Sequence, residues 1–134
     1  MSSLPAFPIV PAPELTEYWE ATKRDVLLVP RCQSCGKAFW YPRAFCPWCH
    51  SGDVDWNESP GTGSIYSFTV VERGAGPWAE VVPYVVAYVE LDEGPRLLTN
   101  LVEVDPARLA VGQRVRVIFD QAGEFKISRF RPEP

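Results

Sequence analysis

The second half of the chain alternates between hydrophobic and polar residues, and this pattern predicts short β-strands. In the first predicted strand, Tyr66, Phe68 and Val70 fall on one face. In the second, every other residue from Val85 to Leu91 is apolar. The five predicted strands cover residues 65–71, 84–91, 96–102, 113–119 and 125–130.

A helical turn is predicted at residues 105–109, between the third and the fourth of these strands. Five short strands interrupted at this point are typical of an OB-fold barrel. Closing the sheet into a barrel would also remove most of its exposed edges. Residues 59–134 are therefore predicted to form a five-stranded OB-fold barrel.

The N-terminal segment, residues 1–25, is predicted to hold a proline-rich arm followed by a helix. Pro5, Pro8 and Pro11 lie three residues apart, which matches the turn of a polyproline II helix. Two interpretations of the arm stay open. It lies along a partner protein, or it is a loose terminal tail.

The helix is predicted over residues 13–24, where a proline stands at an early position and its missing N–H costs little. Leu15, Trp19 and Thr22 share one face of this helix, with Tyr18 beside them. A face so rich in aromatic rings must pack on something, either the chain's own domain or a partner subunit. Trp19 is therefore a candidate partner contact.

Four cysteines form two Cys-x2-Cys pairs separated by ten residues. Each pair makes a tight turn that points two sulfur atoms at one position, and a short hairpin brings the two turns together. This spacing is typical of a closed, tetrahedral zinc site without catalytic water. We predict one structural Zn²⁺ in a rubredoxin-like ribbon over residues 26–58, because so small a segment has too little apolar core to fold alone. The predicted ligands are Cys32, Cys35, Cys46 and Cys49.

Other uses of the cysteines stay open at this point. The dipeptides Cys-Gly and Cys-Pro in the two pairs also occur in rubredoxin-like iron sites. A redox-active pair is less consistent with the sequence, because neither pair opens a helix after a strand. His50 is the only histidine and directly follows Cys49, and we interpret it as a surface residue because adjacent residues rarely bind the same ion.

Composition and charge narrow the function classes. Of the 134 residues, 46% are hydrophobic and 22% charged, as in an ordinary folded domain. The longest apolar stretch, residues 81–89, is too short to cross a membrane, and no signal peptide is recognisable. We therefore expect a cytoplasmic protein without a membrane partner, in a reducing setting that favours metal binding over disulfides.

The formal net charge of −4 bears on the choice of partner. Such a molecule repels a phosphate backbone, so nucleic acid is not the favoured partner. Tyr84 and Tyr88 also lie near Glu90 rather than in a basic groove. A single-stranded nucleic-acid-binding protein and a rubredoxin-like electron carrier are kept as alternative functions, because OB folds and ribbons occur in both.

No set of catalytic residues is recognisable in the sequence. A single histidine without a nearby carboxylate pattern does not make a nucleophile and its base. Gly61-x-Gly63 precedes a predicted strand and lacks the lysine of a phosphate-binding loop. We expect the chain to bind or brace another molecule and not to be an enzyme on its own.

Several short motifs occur together in this chain, namely Leu27, Arg31-Cys32-x2-Cys35-Gly36, Trp40-x-Pro42-Arg43, Cys46-Pro47-x-Cys49, Gly61-x-Gly63-x2-Tyr66-Ser67-Phe68-Thr69, Val89-x-Leu91-x2-Gly94 and Gly112-x2-Val115. Their combination resembles the acyl-CoA-associated zinc-ribbon/OB-fold family. The resemblance runs from the helix near Pro13 to about Phe119. One departure is Trp48-Cys49-His50, because rubredoxin-like cysteine turns often have glycine after the last cysteine.

The resemblance implies an accessory subunit of a thiolase or thiolase-like enzyme that handles acyl-CoA. Some members support carbon–carbon bond formation, and others support retro-aldol cleavage of a steroid side-chain CoA thioester. It also implies a hetero-oligomer around a partner dimer, with acyl-CoA at or near the interface and the catalytic residues in the partner. Some members are fused to a hydratase, so the chain could equally be one module of a longer protein.

The segment between the two cysteine pairs combines aromatic and basic residues. Trp40, Tyr41 and Phe45 would give a contact surface of low conformational entropy, and Arg43 suits a CoA phosphate or a partner carboxylate. Trp40 and Phe45 could instead fill the small core of the ribbon. Trp78 lies in the loop between the first two barrel strands, through which OB folds commonly bind, and it could instead fold back on the barrel.

Overall fold

In the computed structural model, which describes residues 2–134, a short helix precedes a two-stranded sheet and a closed barrel. A 3₁₀ turn at Pro13–Leu15 leads into helix α1, Thr16–Thr22. Strands β1 (Leu27–Cys32) and β2 (Val54–Ser59) pair antiparallel and form the base of the ribbon. The barrel strands are β3 (Thr62–Val71), β4 (Tyr84–Leu91), β5 (Arg96–Leu101), β6 (Arg114–Ala122) and β7 (Phe125–Pro132).

The barrel closes in the order β3–β4–β5–β7–β6, with β6 returning to β3. Neighbouring strands are antiparallel except β5 and β7, which are parallel. A 3₁₀ turn at Pro106–Arg108 lies between β5 and β6, where the sequence predicts a helical turn. The predicted fold class, mostly β with an N-terminal helix, a rubredoxin-like ribbon and a five-stranded OB-fold barrel, is confirmed.

Alternation along the strands places one apolar face inside the barrel. Ile65, Val89, Val115 and Phe130 come from four different strands, and each is at most 1% exposed. The first half of β1 enters the same core through residues 27–29. The base of the ribbon and the barrel therefore share one hydrophobic core, whose burial is the main favourable term in folding.

Helix α1 packs its aromatic face on its own chain, which is the first of the two interpretations given for that face. Tyr18 is 7% exposed, and its ring lies 5.5 Å from that of Trp40 and 6.2 Å from that of Trp56. The α-helical part is shorter than the predicted range 13–24. Its first turn is 3₁₀, and the chain turns away at Asp25, which has a φ of 59°.

A β-bulge in β3 corrects the predicted position of Tyr66. The pairing of β3 with β4 shifts register between Ile65 and Ser67. Because one extra residue reverses the faces of a strand, Ile65 is buried whereas Tyr66 is 47% exposed. Tyr66 therefore does not share the core-facing side of Phe68 and Val70, both of which pack against the core.

The start of the N-terminal arm lies on its own barrel, so the arm is not a loose tail, and its contact with a partner stays a prediction. Ser2 donates its N–H to the Asp120 carboxylate at 2.7 Å, and Arg129 donates to the carbonyls of Leu4 and Pro5. Arg129 and Asp120 also pair with each other and are only 2% and 3% exposed. The arm thus covers a buried ion pair, a contact between residues far apart in sequence that no local pattern indicates.

The structure can be compared with the predicted segment boundaries and with the expectation that no segment crosses a membrane. Helix α1 ends at Thr22 and β2 ends at Ser59, close to the predicted divisions after residues 25 and 58. The division into three segments itself stays a prediction. Among residues 2–134, no helix has both the length and the apolar character needed to cross a membrane.

Candidate metal centre and the surface around it

The two cysteine turns are built on the same backbone pattern. In each, the residue after the second cysteine donates its N–H to the carbonyl of the first, Gly36 to Cys32 and His50 to Cys46, both at 2.9 Å. Both donor residues are left-handed, with φ of 78° at Gly36 and 65° at His50. Glycine takes this φ freely, whereas a residue with a Cβ rarely does. The turn therefore keeps its geometry although histidine stands in a glycine position.

All four cysteine sulfur atoms converge on one position. The Sγ atoms of Cys32 and Cys49 are 3.5 Å apart, those of Cys35 and Cys46 are 3.7 Å apart, and all four lie within 4.8 Å of one another. Four sulfur atoms at about 2.3 Å from a tetrahedral zinc would be separated by about 3.8 Å. The set therefore fits Zn²⁺ and fills its coordination positions. Within residues 2–134, no other group of three or more potential ligands comes this close together.

Backbone N–H groups favour the thiolate form of the first cysteine in each pair. The N–H of Cys35 lies 3.4 Å from the Cys32 sulfur and is the largest of several hydrogen-bond contributions that, against burial, lower the pKa of Cys32 to about 6. Burial raises the pKa of Cys46, but the N–H groups of Cys49 and Trp48 outweigh burial and bring this pKa below its ordinary value. Since the thiolate is the metal-binding form, the turns prepare these two sulfurs for a cation.

The same two cysteines form the small core of the ribbon. Cys32 and Cys46 are 0% exposed, Phe39 is 3% exposed, and the half-buried Val54 packs on them. So few side chains bury too little apolar surface to hold a segment of this length. The metal is therefore the main element that holds the ribbon tip, defined here as residues 31–52.

Of the four predicted contact residues between the cysteine pairs, three are exposed. Tyr41 and Phe45 are 55% and 54% exposed, and Arg43 is exposed with its Nε donating to the Tyr41 carbonyl at 3.2 Å. Trp40 is half-buried against the main core, beside Tyr18. Neither Phe45 nor Trp40 fills the ribbon core. Contact with a partner stays a prediction for all four residues.

Arg43 lines a cleft between the ribbon and the 3₁₀ turn that precedes α1, with a volume of about 480 Å³. The cleft carries charges of both signs, from Arg43, Glu14 and Asp55, around an otherwise mostly apolar lining. This volume lies within the range of about 300–1,000 Å³ that is typical of small-molecule sites. The remaining lining residues are Leu15, Pro30, Pro42, Ala44, Val54 and Trp56.

The other two predicted contacts, both tryptophans, rest on the chain's own surface. Trp19 is half-buried, and its ring lies 5.0 Å from Tyr18 and 6.3 Å from Phe125. Trp78 is half-buried with its ring 4.7 Å from that of Tyr84, so it is folded back on β4. Partner contact by either tryptophan stays a prediction and would use the part of each ring that is left exposed.

Trp48 is a candidate contact for which the sequence gave rise to no prediction. Its side chain is 63% exposed, and the Lys37 Nζ lies 5.0 Å from the centre of its ring. Both residues line a cleft of about 410 Å³ together with Arg31 and Glu93. The sequence contains a sign of this exposure. Trp48 lies between Cys46 and Cys49, inside a tight turn whose interior is occupied by sulfur atoms, so its large ring has no room in the small core of the ribbon.

Comparisons with known proteins match both parts of the chain. A family model described as the ChsH2 rubredoxin-like zinc ribbon domain matches residues 19–55, and one described as the ChsH2 C-terminal OB-fold domain matches residues 56–120. A DUF35 domain-containing scaffold protein of Methanothermobacter thermautotrophicus is 34% identical over 95 residues, covering 70% of this chain and 71% of the relative. The chain belongs to the ChsH2/DUF35 family. This confirms the resemblance seen in the sequence and, with the sulfur geometry, the structural zinc.

Two further proteins are similar to this chain along most of its length. A probable enoyl-CoA hydratase alpha subunit of Thermomonospora curvata is 40% identical over 116 residues, covering 86% of this chain but 36% of the relative. The chain thus spans about a third of the length of that relative. The solved Ltp2-ChsH2(DUF35) aldolase contains a chain that is 38% identical, with a TM-score of 0.82 over 92% of this chain and 98% of that one.

Proposed function

We propose that this chain is a non-catalytic accessory subunit of a thiolase-like enzyme acting on acyl-CoA, which it orders and whose acyl-CoA channel it helps to form. The observation that carries the proposal is the match of nearly the whole chain to a complete chain of the Ltp2-ChsH2(DUF35) aldolase. The name of that aldolase gives two components, Ltp2 and ChsH2(DUF35), which supports a partner chain for a protein of this family. The enoyl-CoA hydratase relative supports acyl-CoA as the substrate class.

The metal centre supports an accessory role. Four cysteine ligands fill a tetrahedral zinc site, and zinc held in this way stabilises structure, whereas catalytic zinc keeps one position for water or substrate. The catalytic residues then belong to the partner. The zinc-stiffened segment between the cysteine pairs presents side chains to that partner at little cost in conformational entropy.

Arg43 is the residue best suited to acyl-CoA or to a partner carboxylate. Among the described residues only its Nε has a hydrogen-bond partner, so the two terminal nitrogens are available for a bidentate contact. Tyr41 and Phe45 lie exposed beside it. Trp19, Trp40 and Trp78 would add the exposed parts of their rings. 

The assembly we propose is a hetero-oligomer around a partner dimer, with acyl-CoA at or near the interface and steroid side-chain thioesters as one substrate class. We place it in the cytoplasm, where the cysteines stay reduced. Neither nucleic acid nor membrane takes part in it. An electron-carrier function would require iron in place of zinc, and an absorbance spectrum of the purified protein tests this directly.

The test is co-expression with two defined partners, the thiolase-like enzyme of the same organism and the Ltp2 chain of the solved aldolase. We expect one of them to co-elute with this chain on size exclusion and to gain solubility and activity. With saturating subunit, Arg43→Ala should raise the KM for acyl-CoA, whereas Arg24→Ala, an exposed matched control, should not. Partners that are soluble and fully active alone, and that do not co-elute, would contradict the proposal.

A further inference from the structure

Charge is distributed unevenly between the ribbon tip and the rest of the chain. Residues 31–52 contain Arg31, Lys37 and Arg43 and none of the chain's 17 acidic residues. The other 10 cations and all 17 acids lie outside this segment, which leaves a formal charge of −7 there. A zinc bound by four thiolates carries a charge of −2, so the tip stays positive even with its metal.

The cations of the tip also differ from the others in their pairing. Arg31, Lys37 and Arg43 are exposed, and none of them forms an ion pair with a carboxylate in residues 2–134. Charge that is paired on the same surface is largely neutralised for an approaching molecule. Arg24, Arg73 and Arg108, outside the tip, also have no ion pair in residues 2–134, but each lies within three positions of an acidic residue in the sequence, whereas the tip contains no acidic residue. Seven cations outside it are paired with acidic side chains, namely Lys23, Arg96, Arg114, Arg116, Lys126, Arg129 and Arg131.

The tip combines this charge with exposed aromatic rings. Tyr41, Phe45 and Trp48 are 55%, 54% and 63% exposed. Tryptophan, tyrosine and arginine are the residues that most often dominate binding energy at protein interfaces. On the outer face of the barrel, by contrast, the exposed ring of Tyr66 is covered by Arg96, which is itself paired with Glu90. This cation is therefore already paired and is less available to a partner than those of the tip.

We infer that the ribbon tip docks on an acidic face of the partner enzyme, with Trp48 as its aromatic anchor and Lys37 and Arg43 as its steering charges. This inference rests on the proposed function and names the chemistry of the partner surface. The Lys37 Nζ lies 5.0 Å from the centre of the Trp48 ring. If the ring is buried in the interface, Lys37 comes to the rim of that interface, where a carboxylate of the partner can pair with it.

A protein face fits the tip better than a nucleic acid does. Charges act over about 8 Å at physiological ionic strength, so an acidic patch of limited size interacts with the tip and, outside it, mainly with the few acids that line the same clefts, namely Glu14, Asp55 and Glu93. A long polyanion would extend over the acidic remainder of the chain and be repelled there. The charge distribution thus favours a compact acidic protein surface.

The experiment measures binding of zinc-loaded chain to the immobilised partner that co-elutes in the test above. The doubly reversed variant Lys37→Glu/Arg43→Glu should associate about tenfold or more slowly than the wild type, and rising salt should slow the wild type far more than this variant. Arg24→Glu/Arg108→Glu reverses two exposed cations outside the tip and should change the rate less than about threefold. The Trp48→Ala variant should dissociate from the partner about tenfold or more faster than the wild type. Tyr88→Ala, which removes an exposed ring of the barrel, should leave the dissociation rate unchanged.

The outcomes separate this inference from the proposed function. A wild-type complex that responds equally to both charge reversals, or that ignores Trp48→Ala, overturns the docking inference and leaves the accessory role standing. A wild-type chain that binds neither partner overturns both. Binding of a fluorescent 20-nucleotide oligo(dT) that Lys37→Glu/Arg43→Glu abolishes would assign the tip to nucleic acid and overturn the inference as well. Zinc content is measured for every variant, and each must retain one zinc per chain for its rates to count.

Discussion

The ribbon tip and the barrel hold their shapes by different means. The barrel closes a five-stranded sheet around a continuous apolar core that also takes in the start of β1. The tip has Phe39 and the two buried cysteines as its core, and its chain is held by four sulfurs that converge on one metal position. The comparison shows how a segment too short for a hydrophobic core can still present a fixed surface.

The same two regions also treat charge differently. Most barrel cations are paired with a nearby acid, and one pair, Arg129 with Asp120, is fully inside. The tip leaves all three of its cations unpaired within the described residues. Charge in the barrel serves the fold, whereas charge in the tip is available for another molecule.

Loss of the metal should give the largest effect and should be confined to the tip. Binding of structural zinc is worth about 10–16 kcal/mol in finger peptides, far more than the tip's own core supplies. We expect a chelator, or Cys46→Ser, to remove hydrogen-exchange protection from residues 31–52 and to leave β3–β7 protected. Mass spectrometry of exchanged peptides measures this.

Gln33→Ala is the control for that experiment, since Gln33 is exposed inside the first cysteine turn, is not a ligand and has no side-chain hydrogen bond within residues 2–134. It should retain one zinc per chain and full protection of the tip. The comparison of the two regions breaks down if zinc removal unfolds the barrel together with the tip, or if the tip stays protected without metal.

The buried ion pair should give the next largest effect, and in the barrel only. Asp120→Asn leaves the Arg129 guanidinium buried without a compensating charge, which costs about 3–5 kcal/mol of unfolding free energy. Asp92→Asn is the control, because Asp92 pairs with Arg114 at a surface where both are about half exposed, and such pairs contribute about 1 kcal/mol or less. Guanidinium chloride unfolding measures both. Equal losses would show that burial of the Asp120 pair does not matter.

This pair also predicts a pH dependence. Burial raises the pKa of Asp120, but hydrogen bonds from Ser2 and from Arg129 outweigh it and hold the pKa below its ordinary 3.8. A carboxyl group with a lowered native pKa stabilises the fold above the unfolded pKa of about 4, and this stabilisation is lost as the pH falls through the native value. The stability gap between the wild type and Asp120→Asn should therefore be full at pH 7 and narrow below about pH 4. A gap independent of pH would contradict this.

The sequence predicts those features of the molecule that depend on local spacing. The cysteine spacing is enough to predict a four-sulfur site, and the apolar alternation from Val85 to Leu91 matches β4 residue for residue, because each follows from the period of a turn or a strand. The bulge at Tyr66 is a single extra residue in β3. The alternation of inward and outward side chains therefore follows one register before the bulge and another after it. No local pattern shows where one register gives way to the other.

Long-range contacts account for most of what the sequence could not predict. The arm reaches Asp120 through Ser2, across 118 positions of the chain. The sequence shows the prolines of the arm and the cation Arg129, but it gives no sign that the two meet. Trp78, in the 3₁₀ turn Gly76–Glu80 between β3 and β4, folds back on Tyr84, while Trp48 stays exposed, although both lie between predicted strands in the sequence. Which ring finds a neighbour depends on how the elements pack, and periodicity carries no information on that.

A fourth prediction compares the same substitution, glycine to alanine, in the two regions. Gly63→Ala would place a Cβ 2.3 Å from the Glu90 carbonyl oxygen in the neighbouring strand, so β3 and β4 must separate, at a cost of about 1–3 kcal/mol. Gly36→Ala meets nothing within 4 Å, and only its φ of 78° resists the Cβ, at a cost of about 1–2 kcal/mol. Gly63→Ala should therefore lower the unfolding midpoint of the barrel, whereas Gly36→Ala should weaken zinc retention and leave that midpoint unchanged. The reverse pattern would show that the two regions are not separable.

The smallest predicted effect is a gain in the tip. His50 holds a φ of 65° in the second cysteine turn, where Gly36 holds the equivalent position in the first. Because a left-handed backbone strains a residue with a Cβ by about 1–2 kcal/mol and glycine adds back some freedom to the unfolded chain, His50→Gly should stabilise the zinc-bound tip by about 1 kcal/mol or less. Competition for zinc against a chromogenic chelator would then show a gain of about fivefold or less in affinity, with the unfolding midpoint of the barrel unchanged. A loss of affinity would mean that the imidazole contributes to the site, and the view of His50 as a surface residue in a glycine position would be wrong.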